Sequence, residues 1–133
     1  MKRLSSMTLG LSLAAATAWA NPPLREVSEI DDQIFWGVLA YEISEQCDSI
    51  DARTMKAVGD LWSLANKARS LGYSRDEIKT YIRSDEEKAR MRKRGEAFLA
   101  SKGVTYDAPE TFCTFGHAEI ERNSAIGAYL RAK

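Results

Sequence analysis

Apolar residues repeat at helical spacing from Ser28 to Ile50, the most apolar stretch after the first 20 residues. Residues three and four apart in sequence share one face of an α-helix. One set of apolar residues has this spacing: Val27, Ile30, Ile34, Val38 and Tyr41. A second set makes the apolar stripe wider: Phe35, Trp36, Leu39 and Ile43. A stripe this wide predicts a helix at the centre of the core, ending at Cys47. The alternative, an aromatic ligand-binding face, is less favoured because large aromatic side chains dominate core burial.

Capping residues predict where the first two helices begin. Ser28, with Asp31 three residues later, approximates a capping box at the start of helix 1. After a short turn, Ser49 or Asp51 is expected to cap helix 2, whose apolar residues keep a period of 3.6 as far as Leu71. These two helices account for the first half of the predicted domain.

The clearest local signal opens helix 3. Gly72 is placed to end helix 2 in a left-handed conformation. Ser74 and Glu77 then form a capping box, and Tyr73 and Ile78 occupy the two positions of a hydrophobic staple. The pattern predicts a short helix that begins directly after Ser74.

Two further helices complete the predicted fold. Helix 4 begins at Ser84 and ends at Gly103, and helix 5 runs from a cap at Asp107 to about Leu130. Asn123 and the serine after it are the weakest point, so this last element is one helix or two. No stretch alternates in the manner of a β-strand, and no hairpin signal is present. The predicted fold class is all-α, a compact bundle of about five helices stapled by one disulfide.

The N-terminus has the three parts of a secretory signal peptide. Lys2 and Arg3 are basic, residues 4–16 are apolar and small, and residues 18–20 read Ala-Trp-Ala. The apolar stretch is shorter than the roughly 20 residues that span a bilayer. We therefore expect residues 1–20 to be cleaved after Ala20, leaving residues 21–133 as a single periplasmic helical domain without stable membrane insertion. The alternative is an uncleaved N-terminal anchor helix.

Cys47 and Cys113 are the only two cysteines, so one intramolecular pair is possible. In an oxidising compartment, a structural disulfide is the leading interpretation. The alternative is a catalytic thiol pair. It has weak support because redox enzymes usually carry C-x-x-C beside a βαβ pattern, and neither is present.

Charge and composition limit the kinds of functional site that the chain can form. The chain has 19 basic and 19 acidic residues, and cleavage after Ala20 removes two basic residues, which leaves a net charge of −2. A near-neutral domain exerts no long-range attraction on nucleic acid. His117 is the single histidine, which excludes zinc sites built on paired histidines. No glycine-rich phosphate loop occurs. The sequence thus predicts no cofactor, no metal and no catalytic residue.

Two charged clusters leave alternatives open. The middle of helix 4 is basic and is a candidate partner surface: Arg90, Arg92, Lys93 and Arg94. A solvated face with internal ion pairs is the favoured interpretation, since neighbouring acids neutralise most of it. Acidic residues cluster near the end of helix 1 and could attract a divalent cation: Glu42, Glu45, Asp48 and Asp51. Their spacing does not match an EF-hand, and capping and solvation explain them better.

Several motifs are similar to those of a family of small exported alphaproteobacterial proteins described only as a domain of unknown function. They are PPLREVSEIDD, C-x-S-I-D-A-R, GYSRDEI, SDEEKARMRKRGEAFLASKGV, FC-x-x-G-x-A-E-I and S-x-I-G. The resemblance covers the chain from Pro22 to Lys133. It implies export, a paired Cys47 and Cys113 and a helical domain, and it implies no activity and no site.

Two classes of function follow. The first is a periplasmic, non-enzymatic binding or interaction protein with a protein partner, such as an accessory subunit, an inhibitor or a stress chaperone. Export, near-neutral charge and the lack of a catalytic constellation favour it. The second is a small periplasmic enzyme that uses carboxylates or His117, which requires a concave pocket holding several titratable groups with shifted pKa values.

Overall fold

The computed structural model describes residues 19–133. The N-terminal segment that carries most of the predicted signal peptide lies outside the described residues. The described part contains five α-helices: α1 Ser28–Gln46, α2 Thr54–Ser70, α3 Arg75–Arg83, α4 Asp85–Ser101 and α5 Glu110–Arg122. A short 3-10 turn precedes α1 at Leu24–Glu26, and another follows α5 at Gly127–Tyr129. The all-α fold class is confirmed.

Helix α1 lies at the centre of the core, as its apolar stripe predicts. Phe35, Leu39 and Ile43 are almost completely buried and share one cluster with Met91 of α4 and Phe112 of α5. The other edge of the stripe does not follow the prediction. Val38 and Tyr41 point toward solvent and are 40% and 59% exposed, because no element of the described chain covers that side of α1.

The disulfide joins the end of α1 to the second turn of α5. Cys47 and Cys113 are bonded, with their Cα atoms 5.2 Å apart and a separation of 66 positions in sequence. The predicted pairing is confirmed. Cys47 is 1% exposed and Cys113 is half-buried against the same core cluster, so the bond lies at the edge of the core.

A two-stranded sheet that the sequence pattern did not predict lies beside the disulfide. Strand β1, Ile50–Ala52, pairs antiparallel with strand β2, Leu130–Ala132, and Asp51 lies opposite Arg131. The predicted Ser49 or Asp51 cap of helix 2 is therefore wrong, and α2 begins after Arg53 with no side-chain cap. Strands of three residues are too short to show an alternating pattern.

Other predicted helix ends are partly confirmed. Ser74 accepts a hydrogen bond from the Glu77 N–H at 3.1 Å and donates its own N–H to the Glu77 carboxylate at 2.6 Å, as a capping box requires. Ser84 accepts a bond from the Glu87 N–H at 3.2 Å. The predicted box at the start of α1 is wrong, since the cap is Val27 and Asp31 faces the interior.

The end of the chain forms separate elements rather than one long helix. Helix α5 has its cap at Pro109, not at Asp107, and ends at Asn123, whose φ of 47° is left-handed. The chain then folds back closely, since a Cβ on Gly127 would lie 1.9 Å from the Glu119 carbonyl oxygen. Only glycine permits this approach, which places β2 beside β1.

Candidate functional site: two adjoining surface grooves

A buried carboxylate ties three helices together. Asp31 of α1 is 4% exposed. It accepts hydrogen bonds from the Tyr81 hydroxyl of α3, from Arg90 Nη2 of α4, and from Arg94 Nη1 of α4 at 3.1 Å. Arg94 also bonds Asp32 at 2.6 Å and lies 3.9 Å above the centre of the Phe35 ring. These contacts fix α3 against α1 and α4.

The same contacts shift the pKa values of the groups involved. Burial and the hydrogen bond to Asp31 raise the pKa of Tyr81 well above its usual range. The hydrogen bond to Asp31 raises the pKa of Arg90 further above its ordinary value. The tyrosine therefore stays protonated and the arginine stays charged at every physiological pH. We call these residues, Asp31, Tyr81, Arg90 and Arg94, the Asp31 lock, because their charges and hydrogen bonds do not change over that pH range.

An open apolar groove lies beside this lock, between α1 and α4. We call it the α1–α4 groove, and its volume is about 540 Å³. The floor consists of apolar residues of the two helices and of Gly95: Ile34, Leu39, Met91, Gly95 and Leu99. Leu61 of α2, Ile82 of α3 and Tyr106, in the loop after α4, also line it.

Large apolar side chains at the edge of the α1–α4 groove are exposed to solvent. Besides Val38 and Tyr41, they include Leu61, Ile82 and Tyr106, each between 37% and 50% exposed. A contiguous apolar surface with a polar border is typical of a binding site. Five large side chains around one concavity form such a surface.

The border of the α1–α4 groove carries both signs of charge: Glu42, Glu87 and Glu96 against Lys88 and Arg92. The Tyr106 hydroxyl donates to Glu42 at 2.9 Å, and burial together with this bond raises the pKa of Tyr106 to about 12. The groove thus contains several titratable groups with shifted pKa values, as the enzyme alternative requires. General acid–base catalysis needs pKa values near the working pH, and these shifts move away from neutrality.

A second groove adjoins the first, between α2 and α3. We call it the α2–α3 groove, and its volume is about 580 Å³. Leu61 and Ile82 line both grooves, so the two concavities are continuous. Trp62, which is 68% exposed, and four basic residues complete the lining: Arg69, Arg75, Lys79 and Arg83.

The basic residues predicted as a partner surface on α4 separate into two groups. Arg90 and Arg94 point inward and pair with Asp31, so their charges are neutralised by α1. Arg92 lines the α1–α4 groove, and Lys93 is exposed. The structure does not bring the four together on one surface. The use of any of them by a partner stays a prediction.

A family model described as a family of unknown function (DUF5333) matches residues 22–131 of the chain. The chain belongs to the DUF5333 family. This confirms the family resemblance, and the export and the taxonomic range that the resemblance implied stay predictions. No curated protein and no solved structure matches the DUF5333 chain.

The side chain of the single histidine of the DUF5333 chain contacts a serine side chain. His117 Nε2 lies 2.8 Å from Ser49 Oγ, which is also 3.3 Å from Cys47 Sγ. No carboxylate of the described residues hydrogen-bonds the His117 ring, and neither residue lines the two grooves. A Ser-His-Asp triad has a carboxylate that orients the imidazole, so this pair does not have the arrangement of such a triad.

The acidic residues near the end of α1 do not converge either. Within residues 19–133 no three His, Cys, Asp or Glu side chains are grouped so that they could hold a metal ion. Asp51 instead pairs with Arg131 of β2 and with Lys133, directly after β2, both at 3.5 Å. Among these residues, no helix has the length and apolar character needed to span a membrane.

We expect acid to weaken the contacts around the α1–α4 groove through Glu87. Burial raises the pKa of this carboxyl, but hydrogen bonds from Arg90 at 2.7 Å and Arg25 at 2.8 Å outweigh it and hold the pKa below its usual 4.5. The unfolded state therefore binds the proton more readily. The stabilising contribution is complete above about pH 4.5 and is lost as the pH falls through the folded-state pKa.

Thermal unfolding followed between pH 6 and pH 3 measures this loss of stability. Glu87→Gln should be less stable than the wild type at pH 6 and should lose less stability on acidification. Glu86→Gln is the matched control, because its side chain is 79% exposed, and it should keep the wild-type pH dependence. Equal pH dependence in Glu87→Gln and the wild type would contradict the assignment.

Proposed function

We propose that this protein is a small, exported, non-enzymatic interaction protein of the periplasm. Its α1–α4 groove holds an amphipathic helical segment of a partner protein. The observation that carries the proposal is the apolar groove between two closely packed helices, with five large apolar side chains exposed to solvent at its edge.

The geometry of the groove floor favours a helix as the occupant. A Cβ on Gly95 of α4 would lie 3.2 Å from Leu39 Cδ2 of α1, so the two helices are in tight contact at this point. The depression between two packed helices is where a third helix lies in a bundle. Helix α3, Arg75–Arg83, has only nine residues and contributes only Tyr81 and Ile82 to the lining of the groove. A partner helix would lie beside α3 and cover the rest of the depression between α1 and α4.

The side chains at the groove edge support a protein partner. Tyrosine, methionine and tryptophan are enriched at protein interfaces, and helix-in-groove recognition places apolar residues of the guest at helical spacing. Tyr41 and Tyr106 are exposed at the edge, and Met91 lies in the floor. The border carries both signs of charge, which fits the mixed polar side of an amphipathic helix.

Two features support export to the periplasm. The N-terminus carries a basic start, a short apolar stretch and an Ala-Trp-Ala sequence at residues 18–20, the pattern of a cleaved signal peptide. The buried Cys47–Cys113 disulfide is typical of proteins in oxidising compartments. The mass of protein recovered from the periplasm tests this, since cleavage after Ala20 would remove the first 20 residues.

Peptide binding tests the proposed groove. The probe is a labelled amphipathic peptide of about 18 residues with leucine at helical spacing and glutamine on its polar side, titrated by fluorescence anisotropy. We expect saturable binding to the wild type. Val38→Glu places a charge at the groove edge, where the side chain is already 40% exposed, and should weaken binding by about tenfold.

Met55→Glu is the matched control, because Met55 is an 84% exposed apolar residue of α2 that lines neither groove. Its affinity for the peptide should stay within about twofold of the wild type, and both variants should keep their melting temperature, as surface substitutions usually do. The proposal fails if the wild type does not bind the peptide, or if Val38→Glu and Met55→Glu weaken binding equally.

A further inference from the structure

The α2–α3 groove is lined by basic side chains from two helices. Arg75, Lys79 and Arg83 are four residues apart on α3 and therefore lie on one face of that helix. Arg69 projects into the same groove from α2, and no acidic residue lines it. Four positive charges thus border one concavity in a protein whose basic and acidic residues are equal in number.

These four charges have no counterion within residues 19–133. Three other arginines of the described chain do have one. Arg25 pairs with Glu87, and Arg90 and Arg94 pair with Asp31. None of the groove's basic residues takes part in any ion pair or side-chain hydrogen bond of the described chain. A cleft lined by one sign of charge concentrates the field and attracts ligands of the opposite sign.

The same groove offers apolar contact. Trp62 is 68% exposed beside the basic residues, and Leu61 and Ile82 continue directly into the α1–α4 groove. Tryptophan and arginine are the residues most often found to dominate binding energy at protein interfaces. The α2–α3 groove therefore combines an aromatic anchor with unpaired positive charge.

We infer that the α2–α3 groove binds an acidic stretch of the partner segment that occupies the α1–α4 groove. The inference rests on the proposed function and adds to it the charge of the partner. Arginine binds carboxylates through two parallel hydrogen bonds, and three of the four basic residues are arginines. Glutamate and aspartate side chains beside apolar residues complement this surface.

A protein segment fits better than the other anionic macromolecules. The basic groove continues into an apolar floor, which a nucleic acid has no aliphatic surface to fill. The residues also lie in a concavity, which a flat membrane surface does not enter. The chain's balanced net charge adds no general attraction to either polyanion.

Three peptides with the same leucine positions test the inference. Their polar side carries glutamate, glutamine or lysine, and each is titrated against the protein with its disulfide formed. We expect the glutamate peptide to bind about tenfold more tightly than the lysine peptide, with the glutamine peptide between them, and the difference to shrink at high salt. Arg75→Glu combined with Lys79→Glu brings the four charges of the groove from +4 to 0, so the difference among the three peptides should disappear.

The matched control is Lys93→Glu on α4 combined with Lys102→Glu directly after α4, which makes the same change in net charge at residues that line neither groove. This control should keep the preference for the glutamate peptide. Equal binding of all three peptides overturns the inference and leaves the proposed function intact, whereas failure of every peptide overturns the proposed function. Binding to anionic phospholipid vesicles that Arg75→Glu with Lys79→Glu abolishes, with no preference among peptides, also overturns it and indicates a membrane surface instead.

Discussion

Loss of the Cys47–Cys113 disulfide is expected to lower the free energy of unfolding by about 4 kcal/mol. The bond closes a loop of 66 residues, and in the chain-entropy model a loop of this size restricts the unfolded ensemble by about that amount. Those residues include all of α2, α3 and α4. Without the bond, the ends of α1 and α5 are held together only by packing and by the small β1–β2 sheet.

Urea unfolding of the oxidised and the reduced wild-type protein measures this contribution without a change of sequence. The double variant Cys47→Ala with Cys113→Ala should be about as stable as the reduced protein. Alanine is preferable to serine at residue 47 because the site is 1% exposed, and a hydroxyl there would add the cost of burying a polar group. Equal unfolding midpoints for oxidised and reduced protein would show that the bond does not constrain the unfolded chain.

The sequence predicts the parts of this fold that depend on local contacts. The Ser74–Glu77 capping box forms between residues three apart, so its signal lies within one short segment. Gly72 has a φ of 98°, as expected of a residue that ends a helix. The disulfide was predictable for a different reason, since two cysteines permit a single pairing.

Long-range contacts account for what the sequence did not predict. Val38 and Tyr41 belong to the same apolar stripe as Leu39, and only the position of α2 and α4 decides which of them is covered. The α1–α4 groove lies along the part of the apolar stripe of α1 that no other helix of the described chain covers. The sequence pattern of apolar residues at helical spacing is the same whether those residues lie in a core or line a binding site.

The charge pattern of the sequence was also misleading, because the pairing of charges depends on long-range contacts. The basic run on α4 is conspicuous in sequence, yet Arg90 and Arg94 are paired with an acid 59 and 63 residues away. The four basic residues of the α2–α3 groove lie at residues 69–83, on two helices separated by a turn, where no run of like charge is visible. Only the packing of α2 against α3 brings them to one groove.

Asp31→Ala is expected to lower the free energy of unfolding by about 3 kcal/mol. Removing one partner of a buried ion pair typically costs 3–5 kcal/mol, because the remaining charges stay poorly solvated. The lower end applies here, since the side chains of Arg90 and Arg94 are 28% and 37% exposed and can regain some water. The Tyr81 hydroxyl also loses its acceptor.

Asp32→Ala is the matched control for Asp31→Ala. Its carboxylate is next in sequence and also binds Arg94, but its side chain is 42% exposed, so we expect a loss of less than about 1 kcal/mol. Urea unfolding of the two variants measures the difference, and similar losses would contradict the assignment of Asp31 as the buried lock.

The same variants connect stability to binding. Asp31 holds α3 against α1 and α4, and α3 supplies Ile82 to both grooves and three basic residues to the α2–α3 groove. Asp31→Ala should therefore weaken binding of the glutamate peptide at temperatures where the domain is still folded, whereas Asp32→Ala should not. If Asp31→Ala loses stability and keeps full peptide affinity, the lock stabilises the fold without positioning the grooves.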